Sequence, residues 1–526
     1  MSDIEKGSDP KVVAESDNSW RSIAEGRVGD EHSTWWRKYW TSFVADFTET
    51  RGVQRVLPEE RQPASLGVYV QMISLWCSAN LTANHLTLGL LGPSVYGLSF
   101  LDSAMCSVFG IFVGALCTAY MATFGPRSGN RTMVTITRTR INGICADTKS
   151  QVVARYHMGW WPSRICVVLN LVIMLGYGMI DTVVGGQMLS AISGGSTSIV
   201  VGVIIVAILT YILTIFGLPV LHAYERYGWI PQAIVLFILA GCAGPYFNTS
   251  NPSVGNKETI IANRLSVFAL FLSAPSSWAP AGADFFVYFP ERTSKKLTFF
   301  LCWTGLTIGY VFTTLIGTGI ASGIKTRAAW AAAHKISPGA VVVAAFEPLG
   351  AFGHFCAVIV MLGVIANNAP GTYACGLSFQ CLGSWPLKIP RMYWNTFSVI
   401  VYTICGAVGR NHLYSIFQNF LSLVGYWVTI WVVITLQEQL IFRRNTGYVW
   451  EDWNDRKKLP IGWAALAAFL IGWVGSVLCM DQVYYIGPIA RLIGDDGSDM
   501  GLFVGASWAA LVFPGLRYLE KRFIGR

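Results

Sequence analysis

Between Phe271 and Pro290 the chain reads Phe-Leu-Ser-Ala-Pro-Ser-Ser-Trp-Ala-Pro-Ala-Gly-Ala-Asp-Phe-Phe-Val-Tyr-Phe-Pro. The stretch is apolar enough to lie in a bilayer, yet it carries Pro275, Pro280, Gly282 and the carboxylate of Asp284. A continuous helix would lose backbone hydrogen bonds at both prolines, and hydrocarbon offers no water to replace them. The stretch therefore predicts a broken membrane helix whose freed backbone groups line a cavity, the arrangement in which membrane carriers hold their cargo.

The rest of the chain agrees with a bilayer setting. Hydrophobic residues make up 53% and charged residues only 13%, with mean hydropathy +0.48; soluble domains carry about 25% charged residues. Apolar runs of roughly 20 residues predict twelve membrane segments. They are Leu66 to Leu91, Ser103 to Phe124, Ile165 to Leu189, Ile199 to Leu218, Trp229 to Phe247 and Leu265 to Phe289, then Leu297 to Ile320, Gly350 to Gln380, Tyr393 to Val408, Ile416 to Leu440, Ile461 to Cys479 and Gly501 to Leu516. With the N-terminus inside, 31 of the 38 Lys and Arg residues fall on the cytoplasmic side and none in a bilayer core. The positive-inside rule thus accounts for the net charge of +9, and no nucleic-acid partner is expected. The expected organisation is a cytoplasmic tail over 1–63, a transmembrane domain over 64–519 and a short cytoplasmic tail over 520–526.

Residues 1–61 are polar, mixed in charge and lack the short apolar core of a secretory signal. The aromatic and basic mixture from Trp35 to Phe47 suits either the inner leaflet or a sorting tail without structure. The twelve cysteines are scattered with no Cys-x-x-Cys, so neither a disulfide framework nor a metal site is expected. Asn248-Thr-Ser falls in a predicted outside loop and is a candidate glycosylation site.

Polar residues that a bilayer should exclude carry the information. In the first segment they are Trp76, Ser78, Asn80, Asn84 and His85, and the succession of Ser, Asn and Thr predicts an unwound midpoint. Hydrogen bonding between helices is the preferred reading for His85. In the third segment Tyr177 and Asp181 are four apart and share a helical face. Asp181 at mid-membrane is costly to ionise, which suits a proton acceptor, while Gly185 and Gly186 suit close packing. In the eighth, Asn367 and Asn368 precede Pro370 and Gly371, predicting a second polar helix break. Amides offer both a donor and an acceptor, matching the edge of a neutral heterocycle. In five-helix inverted repeats the first segment corresponds to the sixth and the third to the eighth, which places a site at the repeat interface.

Four ordered motifs then carry a resemblance: Phe-Gly-Pro-Arg-Ser-Gly-Asn-Arg from Phe124, Gly-Gly-Gln from Gly185, Ser-Ser-Trp-Ala-Pro-Ala-Gly-Ala-Asp from Ser276, and Asn-Asn-Ala-Pro-Gly-Thr-Tyr from Asn367. Together they resemble the fungal purine-cytosine permeases of the nucleobase cation symporter 1 family. The resemblance implies an all-α membrane protein of about twelve helices, a LeuT-type five-plus-five inverted repeat with two additional C-terminal helices. It implies import of cytosine and purines with protons across the plasma membrane, with no enzymatic activity and no cofactor beyond the coupling ion. By the same resemblance, Tyr177 and Ser277-Trp278 hold the stacking positions, and Asp181 follows one turn after Tyr177. Asn367 and Asn368 hold the substrate-binding amides, and Ser78 lies beside the site. Relatives have Trp followed by an amide where this chain has Tyr177 and Asp181. Asp181 is the expected coupling carboxylate and Asp284 a structural or gating one; Pro275, Pro280, Pro370 and Gly371 are the expected helix breakers. An amino-acid, vitamin or other heterocycle transporter of the same fold, sodium-coupled or not, is the alternative.

One tract, Val134 to Gln151, departs from the resemblance and is rich in Thr and Arg. Val134 can be encoded GTN, Ala146-Asp147 GCTGAC and Gln151 CAG, the start, branch sequence and end common to fungal introns. The tract reads as a retained intron in frame, with a loop insertion as the alternative, and is expected to be unstructured. Transcript sequencing is expected to show these codons removed; spliced mRNA still encoding Thr135 to Ser150 would refute the intron.

Overall fold

The computed structural model describes residues 63–129, 139–141, 144–146, 153–216, 228–380, 385–450, 455–494 and 497–525, with Arg61, Leu382 and Asp452. The tail read from Trp35 to Phe47 and most of 134–151 lie outside the described residues. Within that tract, Thr139–Ile141 and Ile144–Ala146 pair as an antiparallel hairpin, where no structure was expected.

The first predicted segment divides into α1 (Leu66–Ser78) and α2 (Ala83–Gly89), followed by α3 (Phe100–Ala122), α4 (Ser163–Ile192), α5 (Ile199–Phe216) and α6 (Trp229–Ala243). Next come α7 (Lys257–Ser276), a 3-10 stretch over Ala279–Phe286, and α8 (Lys295–Gly323). Two short helices follow, α9 (Ala328–Ile336) and α10 (Pro338–Ala344). The chain continues through α11 (Ala351–Gln380), α12 (Arg391–Gly409), α13 (Leu413–Gln437), α14 (Trp463–Cys479) and α15 (Gly501–Ile524). Every predicted apolar run coincides with helix. Among the described residues eight helices are long and apolar enough to cross a membrane, while Leu66–Ser78, Ile199–Ile215 and Trp463–Cys479 are apolar but shorter.

Packing sorts these helices into two groups. Helices α1, α2, α3, α7 and α8 pack on one another, and α4, α5, α11 and α12 form the other set. Outside both, α13, α14 and α15 pack together. Backbones approach closely where glycine removes the side chain, as membrane helices require without a hydrophobic drive between them. A Cβ on Gly114 of α3 would sit 2.1 Å from the Leu272 carbonyl oxygen of α7, and one on Gly186 of α4 would sit 2.7 Å from the Val203 amide nitrogen of α5. The packing role read for Gly186 is thereby met.

Two departures from expectation have physical causes. The eighth predicted segment is not interrupted: α11 runs unbroken through Pro370 and Gly371. A proline removes one donor and frees the carbonyl four residues back, here that of Ala366, and membrane helices tolerate such a loss without ending. The α9–α10 pair was not expected at all, because runs this short carry no membrane-length signal. It is held by Gln187, whose side-chain oxygen accepts from the Gly339 amide at 3.0 Å while its nitrogen donates to the Arg410 carbonyl at 2.8 Å.

Gly114→Ala is expected to lower stability by about 1–3 kcal/mol through overpacking. Gly241→Ala, where an added Cβ meets nothing within 4 Å, is expected not to destabilise. Thermal unfolding of the detergent-solubilised protein, followed by tryptophan fluorescence, compares the two.

Candidate substrate site

The two helix breaks face each other across the centre. At the first, the Ser78 hydroxyl donates to the Leu75 carbonyl at 2.9 Å and the Asn80 side chain to the Trp76 carbonyl at 2.7 Å. Such bonds offer the backbone an alternative to the helix ladder, and α1 stops there. Thr82, in extended conformation, opens α2; its hydroxyl contacts the Asn84 side-chain oxygen and lies 3.0 Å from His85 Nδ1. The Asn80 carbonyl accepts from Thr313 of α8 at 3.2 Å and lies 3.1 Å from His85 Nδ1.

At the second break, α7 carries Pro275 inside its last turn and ends after Ser276. Pro280 falls in the first turn of the following 3-10 stretch, where a missing N–H costs little. The gap expected between the two prolines is therefore present, at Ser277 and Trp278. The Ala274 carbonyl accepts from Ser277 at 2.6 Å, Tyr310 of α8 at 3.2 Å and Tyr177 of α4 at 3.4 Å. Thr118 of α3 donates to the Pro275 carbonyl at 2.7 Å.

These elements surround a cavity lined by Tyr177, Asp181, Ser277, Trp278, Asn367 and Asn368 together with His85, Phe285, Tyr310, Pro370 and Gly371. A second cavity shares Trp278, Phe285, Asn367 and Pro370 and adds Ser78 and Gln232. All seven residues expected at the substrate site thus lie on these connected walls. Asp284 is half-buried in the 3-10 stretch and lines neither.

Aromatic rings form one side. Trp76 meets Trp278 edge-on at 5.8 Å and Phe285 at 4.7 Å, while the Tyr177 hydroxyl lies 2.8 Å from that of Ser277, fixing its ring. The other side is polar. Buried Asp181 accepts from the Asn84 side chain of α2 at 2.9 Å and from the Asn367 side chain of α11 at 3.4 Å. Among the described residues no cation pairs with it. Because Asn367 turns its nitrogen to Asp181, its oxygen is left without a partner. Asn368 accepts from Thr372 at 3.3 Å, which leaves its nitrogen without one. Both of these atoms are buried, on two residues that line the cavity.

His85 had been read as bonding between helices. Its Nδ1 instead faces groups of its own break, Thr82 and Asn80, while its ring packs edge-on against Tyr310 at 4.2 Å and lines the cavity. Phe285 and Tyr310 were not singled out from sequence, since single aromatics in apolar helices carry no distinguishing pattern. Among the described residues no group of three or more His, Cys, Asp or Glu is placed to hold a metal.

Two discontinuous helices around a central cavity in a polytopic chain define a membrane transporter. A family model described as permease for cytosine/purines, uracil, thiamine, allantoin matches residues 58–505, and the chain belongs to this family. It is 32% identical to a purine-cytosine permease of Saccharomyces cerevisiae, over 98% of this chain and 93% of that one. It is 30% identical to a purine-cytosine permease of Emericella nidulans, over 100% and 99%. A vitamin B6 transporter of Saccharomyces cerevisiae is also 30% identical, over 93% and 91%. The fold is that of Mhp1, a nucleobase-cation-symport-1 family transporter solved in a closed conformation with bromovinylhydantoin bound. That match has a TM-score of 0.63 at 13% identity and covers 90% of this chain and 96% of the other. The chain is thus a multi-pass membrane transporter of a small molecule and not an enzyme.

Trp278→Ala is expected to raise the apparent KM for uptake roughly tenfold, from lost stacking and apolar contact. Tyr177→Phe keeps the ring, loses only the hydroxyl's bond, and is expected to change it by less. Initial uptake rates at matched surface expression measure both.

Proposed function

We propose that this protein is a secondary active transporter that imports nucleobases, cytosine and purines such as adenine, guanine and hypoxanthine, by proton symport with alternating access. The observation that carries the reading is the pair of amide side chains, Asn367 and Asn368, each with a buried atom that lacks a close partner, on the wall of a cavity that Trp278, Tyr177 and Phe285 also line. A buried polar atom left unpaired costs about 1–3 kcal/mol. A planar heterocycle with a donor and an acceptor on one edge supplies both partners and lays its faces on the rings. The permease relatives favour a nucleobase.

Asp181 supports proton coupling by geometry. As a carboxylate it accepts from α2 and from α11 at once; once protonated it is a donor on one oxygen, and one of these bonds must change. Uptake of a proton thereby alters how the outer half of the broken helix is tied to the opposing group. The plasma membrane, with both termini cytoplasmic, is the proposed setting, from the distribution of Lys and Arg.

The vitamin B6 relative favours a second reading, since pyridoxine is also a planar heterocycle with polar edges. A competition panel in a fungus lacking its own permeases separates the two. Labelled cytosine or adenine is expected to enter and to be displaced by purines; absence of uptake, with pyridoxine entering instead, overturns the nucleobase reading. Asp181→Asn is expected to flatten the pH dependence of uptake more than it weakens substrate binding. Identical pH profiles for variant and parent exclude Asp181 as the coupling group.

A further inference from the structure

Away from the central cavity, a further concave site lies where the short helix Phe124–Ser128, the start of α8 and the stretch that follows α13 meet. Four cationic side chains line it, Arg127, Lys295, Arg443 and Arg444, and among the described residues no carboxylate does. Arg443 is already committed, bonding Glu438 at 3.0 Å and lying over the Tyr448 ring at 5.0 Å. Among the described residues Arg127, Lys295 and Arg444 have no ion-pair partner, and Arg127 is close enough to Lys295 for their like charges to act on each other. Lys295 also opens α8, whose cap residue Ser294 makes no side-chain capping bond. The positive end of that helix therefore adds to the same field.

A positive-inside bias by itself scatters charge over loops. Here the charges converge from three distant parts of the sequence on one hollow, a disposition that repels itself unless an anion enters. The rim indicates where the anion comes from. Leu440 lines the hollow and is 56% exposed, as is Ile441 beside it, so the hollow opens onto surface that faces acyl chains. Stacked Tyr448 and Trp450, with ring centroids 4.8 Å apart, also line it, as aromatic side chains do at the membrane interface.

We propose that this hollow binds the phosphate-bearing headgroup of an anionic membrane lipid, with its chains lying along Leu440 and Ile441. Basic pockets between membrane helices bind such headgroups from the cytoplasmic leaflet, and the assignment to that leaflet rests on the orientation proposed above. Binding itself does not.

The test uses the full chain in nanodiscs of phosphatidylcholine with or without a phosphoinositide in both leaflets, so its outcome is independent of orientation. Tag accessibility in sealed vesicles reads orientation separately. Native mass spectrometry is expected to show phosphoinositide retained by the parent. Retention is expected to weaken on the order of a hundredfold in the variant Arg127→Gln, Lys295→Gln, Arg444→Gln, since each removed cation is worth about a factor of five to ten. The exposed single change Arg444→Gln is expected to give a partial loss with unfolding temperature unchanged, which separates binding from folding. Equal retention by parent and variants overturns the proposal. So does binding of soluble inositol phosphate or inorganic phosphate as tightly as lipid, which would make the ligand a free anion.

Discussion

A helix that stops inside hydrocarbon leaves carbonyls that water cannot reach, and this structure depends on how those carbonyls are met. At the second break the Ala274 oxygen takes three hydroxyl donors, from Ser277, Tyr310 and Tyr177. At the first, the Asn80 oxygen takes Thr313 and faces His85. Beside the local Ser277, the donors are Tyr177 of α4 and Tyr310 and Thr313 of α8, and because α4 and α8 belong to different packing groups, satisfying the Ala274 carbonyl also joins the groups across the cavity. The hydroxyls that line the centre are there first because the broken helices need them. The cavity with its rings and amides is built on that arrangement.

Glycine does the complementary work. Where α3 passes α7 and α4 passes α5, the main chains touch with nothing between them, and dispersion between close backbones replaces the hydrophobic drive that water supplies to soluble proteins. Rigid groups of this kind can move against each other while keeping their internal contacts.

Much of this was legible in the sequence because the bilayer punishes exceptions. Prolines 275 and 280 and the Ser-Asn-Thr succession after Trp76 marked the two breaks, since apolar helices have no other use for such residues. Asp181 and the paired asparagines, which line the cavity, drew notice in the sequence for the same reason. Pro370 misled, because proline signals one lost donor but does not say whether the helix ends there or runs on without it. The α9–α10 pair, too short to span a membrane, was invisible to a search for apolar runs, although Gln187 held it all along. His85 could not be placed from composition: a ring nitrogen that caps its own helix break and one that bridges helices look alike in a string of letters. The basic hollow at Arg127, Lys295 and Arg444 was equally hidden, for its members are far apart in the chain and each alone reads as an ordinary loop charge.

The Asn367 amide has a consequence for how such a transporter can diverge. Its nitrogen is given to Asp181 and its oxygen is buried without a partner, yet both belong to one flat group on one bond. Turning that plane to suit a different cargo withdraws the nitrogen from the carboxyl group, and replacing the residue removes both ends together. In the mechanism proposed above, cargo recognition and proton coupling therefore share one side chain, and a change of cargo made at this position also changes what surrounds the Asp181 carboxyl group.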